Sequence, residues 1–277
     1  MIDIEKTIEY VANSIERSTT ALEGDLMWDE PYSHVYFKKV FPEKIYEQIQ
    51  EYLPGPQYYN NNETAKEATK RNKKGKKTAF ARKNFRLLET VDGPSNIKRL
   101  DGTRAEFWSD ITKVLTSDTV RIALMESVEV DLLKRFGVDE LEEIDAFPGF
   151  LELTRDEIGY KISPHTDRQY RVVTVQFYLP DDDRYCDLGT NINYREDKKW
   201  KVARKFDFMP NTGYAFAVSK DRSWHSANVP EGFNGIRNSL LYTINVKTKE
   251  DWGAGYGSHS KEGKTKWKKY LRKLDNA

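Results

Sequence analysis

The sequence predicts an α+β protein in which helices from the N-terminal half support a β-rich core. Three observations carry this reading. Apolar residues recur at helical spacing before residue 140. From Phe147 to Val246 the period drops to about two, with turn residues between short runs. No linker separates the two halves, so 1–246 reads as one domain, with helical support over 1–140, a core over 147–246, and a basic C-terminal tail over 247–277.

Taken in order, Ile4, Ile8, Val11 and Ile15 define an amphipathic helix over residues 3–18. "SHVYFKKVF" (33–41) reads as a strand, and "PEKIYEQIQEYL" follows as a helix with Pro42 placed to open it. Residues 54–83 are polar and rich in Asn and Lys, and read as a surface loop; the basic segment 66–83 is expected to be mobile and to help capture substrate. Residues 104–137 read as two helices broken near Ser117-Asp118, the second closed by Lys134, Arg135 and Gly137. Eight strands are then expected, at 150–154, 160–163, 172–179, 191–194, 201–206, 213–218, 223–229 and 238–246. Eight short strands in about a hundred residues indicate a sandwich, jelly roll or small barrel.

Composition narrows the function classes. Lys and Arg total 45 against 44 Asp and Glu, so no global charge argues for nucleic acid or an anionic membrane. Cys186 is the single cysteine, which excludes an intrachain disulfide and a cysteine-based zinc site. The N-terminal stretch carries acids where a signal peptide needs bases, and no window approaches a membrane span. A soluble cytoplasmic protein is expected.

Candidate chemistry begins at "PHTD", where His165 and Asp167 precede the run "RVVTVQFYLP". By itself a His-x-Asp pair is weak, since about a quarter of chains with this composition would hold one by chance. The following strand strengthens it. Val173, Val175, Phe177 and Leu179 share one face; Val172, Thr174, Gln176 and Tyr178 share the other, which is uncharged yet rich in hydrogen-bonding groups. Such a wall faces an enclosed polar space. His225 is the other histidine within the strand region. Arg237, twelve residues later, opens the last strand and shares a face with Ser239. A buried arginine needs a counter-charge, and with no acid on the sequence an evident partner, an acidic ligand is expected to supply it. Two histidines and one carboxylate form the ligand set for non-haem Fe(II).

These residues resemble the Fe(II)- and 2-oxoglutarate-dependent oxygenases, most closely their prolyl-hydroxylase-like branch. "PHTD", the run Arg171–Leu179, Gly189-Thr190, the stretch Pro210–Phe216, His225-Ser226 and Arg237-x-Ser239 carry the resemblance. It implies a double-stranded β-helix, or jelly roll, with His165, Asp167 and His225 as catalytic iron ligands. It also implies that Arg237, Tyr178 and Ser239 bind 2-oxoglutarate. The implied reaction consumes O2, releases succinate and CO2, hydroxylates an unactivated C–H of a protein residue, amino acid or other metabolite, and can draw on ascorbate as reductant. Two alternatives stay open: a cupin-like metal-binding jelly roll without 2-oxoglutarate chemistry, and a nucleic-acid demethylase of the same superfamily. Against the second, Thr243 stands where that branch carries another arginine. His34 and His259 are expected to be structural and loop residues, "DDD" at 181–183 a turn, and Tyr160 a neighbour of the cofactor. Neither the substrate nor the oligomeric state is legible.

Overall fold

The computed structural model describes residues 2–20, 26–61, 82–90, 93–233 and 235–246. Most of the basic segment, His259 and the C-terminal tail lie outside the described residues. Helix α1 (Ile4–Thr19) opens on Asp3, whose carboxylate accepts from the Lys6 N–H. Strands β1 (Met27–Trp28) and β2 (His34–Lys38) follow, then α2 (Glu43–Glu51), β3 (Asn60–Asn61) and β4 (Arg82–Arg86). The helices α3 (Gly102–Leu115), α4 (Asp118–Glu126) and α5 (Glu129–Phe136) precede the core strands β5 (Ala146–Asp156), β6 (Lys161–His165), β7 (Arg171–Tyr178) and β8 (Asn191–Glu196). β9 (Lys199–Lys205), β10 (Thr212–Ala217), β11 (His225–Asn228) and β12 (Arg237–Val246) complete it.

The strands form two antiparallel sheets, in the orders β1-β2-β10-β7-β12-β5-β4-β3 and β6-β11-β8-β9. From β5 onward the chain crosses between sheets strand by strand, apart from the β8–β9 hairpin. Each sheet interleaves early and late strands, and that interleaving defines a jelly roll. All eight expected core strands are present. The helices cover the outer face of the large sheet: Val11, Ile15, Trp108, Ile111 and Leu124 join Val173, Val175, Phe177, Leu240, Tyr242 and Ile244 in one core cluster. A second cluster, with Tyr178, Ile192, Phe206, Tyr214 and Phe216, fills the space between the sheets.

The helical region differs from expectation in one respect. Residues 102–136 form three helices, because a second break falls at Ser127-Val128, where no Gly or Pro marks it. The Ser127 hydroxyl donates to the Leu124 carbonyl and so takes up an acceptor at the end of α4. Gly137 closes α5 at φ +65°, the left-handed conformation that glycine adopts without steric cost.

The expected loop over 54–83 is also corrected at both flanks. Asn60–Asn61 and Arg82–Arg86 pair with each other, and β4 pairs with β5, extending the large sheet beyond the jelly roll. Basic composition conceals β4, yet its charges have partners across the strand: Arg82 pairs with Asp156, and Lys83 with Glu157.

Candidate active site

His165 ends β6 and His225 begins β11, and the two stand directly opposite each other in register. Their ring centroids are 4.2 Å apart. Each Nδ1 faces a carbonyl two residues back, Ser163 at 3.0 Å and Ser223 at 3.1 Å. A carbonyl can only accept, so each Nδ1 carries the proton and each Nε2 keeps its lone pair for a metal. Burial lowers the His225 pKa to about 4, overcoming the opposing pull of Asp167, so its imidazole is neutral at pH 7.

Asp167 lies in the turn between β6 and β7. Arg171 Nη1 contacts its Oδ1 at 2.9 Å, and the Thr174 hydroxyl donates to Oδ2 at 2.5 Å. Burial would raise its pKa, but Arg171, the two histidines and Thr174 prevail and hold the carboxyl well below the usual range. The turn is itself anchored from the helical layer: the Arg135 guanidinium donates to the carbonyls of Gln169, Arg171 and Val218. One ligand atom from each of His165, Asp167 and His225 lies within 4.8 Å of the others. Two imidazoles and an ionised carboxylate, converging from three chain segments, fit a divalent transition metal.

Arg237 is fully buried, and its surroundings correct the sequence reading. Its counter-charge is Asp156, at 2.8 Å from Nη1. Asp156 is also gripped bidentately by Arg82, at 2.6 and 2.7 Å, so two guanidiniums share one carboxylate. The remaining Arg237 N–H groups reach the Leu188 carbonyl at 2.8 Å, Thr190 Oγ1 at 3.1 Å and Gln176 Oε1 at 3.4 Å. Tyr178 lies beneath the guanidinium, 5.4 Å from ring centroid to Cζ, and its hydroxyl accepts from the Thr190 N–H. Ser239 faces the same interior and bonds Thr154 Oγ1 at 2.7 Å and Gln176 Nε2 at 2.6 Å.

The Gly189-Thr190 segment can approach because position 189 lacks a side chain: a Cβ there would stand 1.5 Å from the Phe206 carbonyl oxygen. Tyr160, expected near the cofactor, stacks under Arg82 at 4.4 Å. His34 is structural: it is buried, donates from Nδ1 to the Tyr32 carbonyl at 2.6 Å and stacks on Trp28. Residues 181–183 form the expected turn. Sequence reasoning missed Arg82 and Asp156, and it singled out Gly189-Thr190 without giving Thr190 a role. The one available signal was alternation along β5, which puts Glu152, Thr154 and Asp156 on the face opposite Leu151 and Leu153.

No protein-family model matches the chain, and no curated protein matches it. Solved structures of similar shape exist. A prolyl-4-hydroxylase of Pseudomonas putida shares 13% identity at TM-score 0.43, covering 86% of this chain and 100% of its own. A prolyl hydroxylase from Trichoplax adhaerens, solved with a hypoxia-inducible-factor peptide fragment, shares 12% at 0.44, covering 91% and 94%. The α-ketoglutarate-dependent epimerase SnoN of nogalamycin biosynthesis shares 11% at 0.48, covering 85% and 84%. Likeness at this level decides nothing about the chemistry of this chain, which rests on the site itself.

Proposed function

We propose that the protein is an Fe(II)- and 2-oxoglutarate-dependent dioxygenase that hydroxylates an unactivated C–H bond. The observation that carries the proposal is the His165–Asp167–His225 cluster, which opens into the same polar interior as the Arg237 cage. Three protein ligands leave coordination positions for a co-substrate and O2. When bound, the iron supplies oxidation chemistry in which 2-oxoglutarate and O2 yield succinate, CO2 and a hydroxylated product.

The chain's own residues bind and orient. Arg237 is the group assigned to the distal carboxylate of 2-oxoglutarate. Tyr178, whose oxygen accepts from Thr190, keeps its own proton to donate to that carboxylate. Ser239 holds Gln176 in place beside it. Arg171 and Thr174 keep Asp167 ionised and aimed.

The test is decarboxylation of carboxyl-labelled 2-oxoglutarate with Fe(II), ascorbate and O2. Wild-type protein is expected to release CO2 and succinate in equal amounts. His165→Ala and His225→Ala should lose stoichiometric metal and turnover together, whereas Arg237→Ala should retain metal and bind 2-oxoglutarate about a hundredfold more weakly. Metal bound with no 2-oxoglutarate affinity in the wild type would favour the cupin-like reading.

A further inference from the structure

The inner face of the large sheet continues past the Arg237 cage onto β5 and β4. Phe85, Leu87, Leu151 and Leu153 point into the helix-side core. Alternation therefore turns Asn84, Arg86 and Glu152 to the opposite face, where Arg86 and Glu152 are register partners. Thr243 joins them from β12, opposite Phe150 on one side and opposite Thr174, the residue that holds Asp167, on the other. This wall is therefore contiguous with the metal-ligand cluster.

Its polar groups are incompletely used. Glu152 is buried, and Asn84 Nδ2 donates to its Oε1 at 2.6 Å. The Asn84 Oδ1, the Arg86 Nε and the Thr243 Oγ1 are each buried without a hydrogen-bond partner. Buried polar groups are nearly always partnered, so three orphans on one wall mark a surface that awaits a ligand. They define what that ligand must offer: an anionic acceptor for the Arg86 Nε–H, and an N–H donor for Asn84 Oδ1 and Thr243. The Glu152 carboxyl stands beside them, and a cation facing it would favour its ionised form. One small group that meets all of these carries a carboxylate and an ammonium a few atoms apart.

We propose that Asn84, Arg86, Glu152 and Thr243 form the primary-substrate subsite, and that its substrate is a compact zwitterion, a free α-amino acid. This rests on the oxygenase reading for the fate of the ligand but not for its binding. The hydroxylation adds one oxygen atom from O2 to a substrate C–H, while the other oxygen goes to succinate.

The experiment is ligand-observed NMR on the purified full-length protein with the twenty proteinogenic amino acids, with and without 2-oxoglutarate. Their C-amides lack the anion, and their N-acetyl derivatives lack the cation. At least one free amino acid is expected to bind, and to remain bound in the presence of 2-oxoglutarate. Each derivative should bind at least tenfold more weakly. Arg86→Ala should abolish the preference for acid over amide, and Thr243→Ala should weaken binding several-fold; both should keep the wild-type metal content and 2-oxoglutarate affinity. The subsite is overturned if no amino acid binds, if 2-oxoglutarate displaces it, or if neither variant changes the preference. Failure of the oxygenase reading would appear separately, as wild-type protein that binds the amino acid but neither metal nor 2-oxoglutarate.

Discussion

The metal-ligand cluster and the Arg237 cage share one interior but are held in opposite ways. Each histidine of the cluster is oriented by a carbonyl two residues away, and Asp167 by Arg171 and Thr174, four and seven residues on. The cage is assembled from distant chain: Asp156 lies 81 positions from Arg237 and 74 from Arg82. Locally supported ligands tolerate change elsewhere in the fold. A buried ion cluster drawn from three strands makes its function and the protein's stability inseparable.

The largest effect should come from breaking the cage. Asp156→Ala leaves two guanidiniums buried without their shared carboxylate, and is expected to destabilise the fold by about 3–5 kcal/mol in denaturant unfolding. Folded molecules should still bind metal, since no ligand is touched. Equal loss of metal binding and stability would show that the two regions are one unit.

Glu152 sharpens the comparison through pH. Burial raises its carboxyl pKa to about 7, with Arg82, Arg86 and Arg171 opposing. In the unfolded chain it ionises near the ordinary glutamate value, so stability should fall as pH rises from about 4.5 to about 7, by roughly 3 kcal/mol at most. Glu152→Gln should remove that slope. The variant should gain on wild type as pH rises and show little difference near pH 4. A wild-type stability profile unchanged by the substitution would place the Glu152 titration elsewhere.

The smallest effect is expected at Thr174. Thr174→Val removes the hydrogen bond to Asp167 and should weaken metal binding about 10–100-fold, with little change in unfolding. If stability falls as far as it does in Asp156→Ala, local support of the cluster is refuted.

The same contrast explains what the sequence made legible. The core strands and the two faces of β7 and β12 follow from short-range pattern, alternation and turn residues, whereas the set His165, Asp167 and His225 was legible through the family resemblance. The cage does not follow from such pattern. Nothing near Arg237 in sequence names Asp156, because an ion pair across strands is fixed by register and not by spacing. The basic run hid β4 for a related reason. Arg82 and Lys83 look solvated when read along the chain, but the register places Arg82 against Asp156 of β5, and Lys83 reaches Glu157 just beyond the end of that strand. Ser127 likewise ends a helix with a hydroxyl where sequence rules look for glycine.

Strand order has a consequence for how the molecule is made. β12, the last of the described strands, sits between β7 and β5 near the middle of the large sheet. Until residues 237–246 leave the ribosome, that sheet exists as two separate pieces, and the apolar undersides of both are without their central partner. Both histidines and Asp167 are synthesised earlier, yet the pocket beside them closes only when this strand inserts. Maturation of the site is thus expected to be late and slow, since it waits on long-range pairing. A nascent chain stalled before Arg237 should be readily digested by protease, and one released ten residues later should resist it.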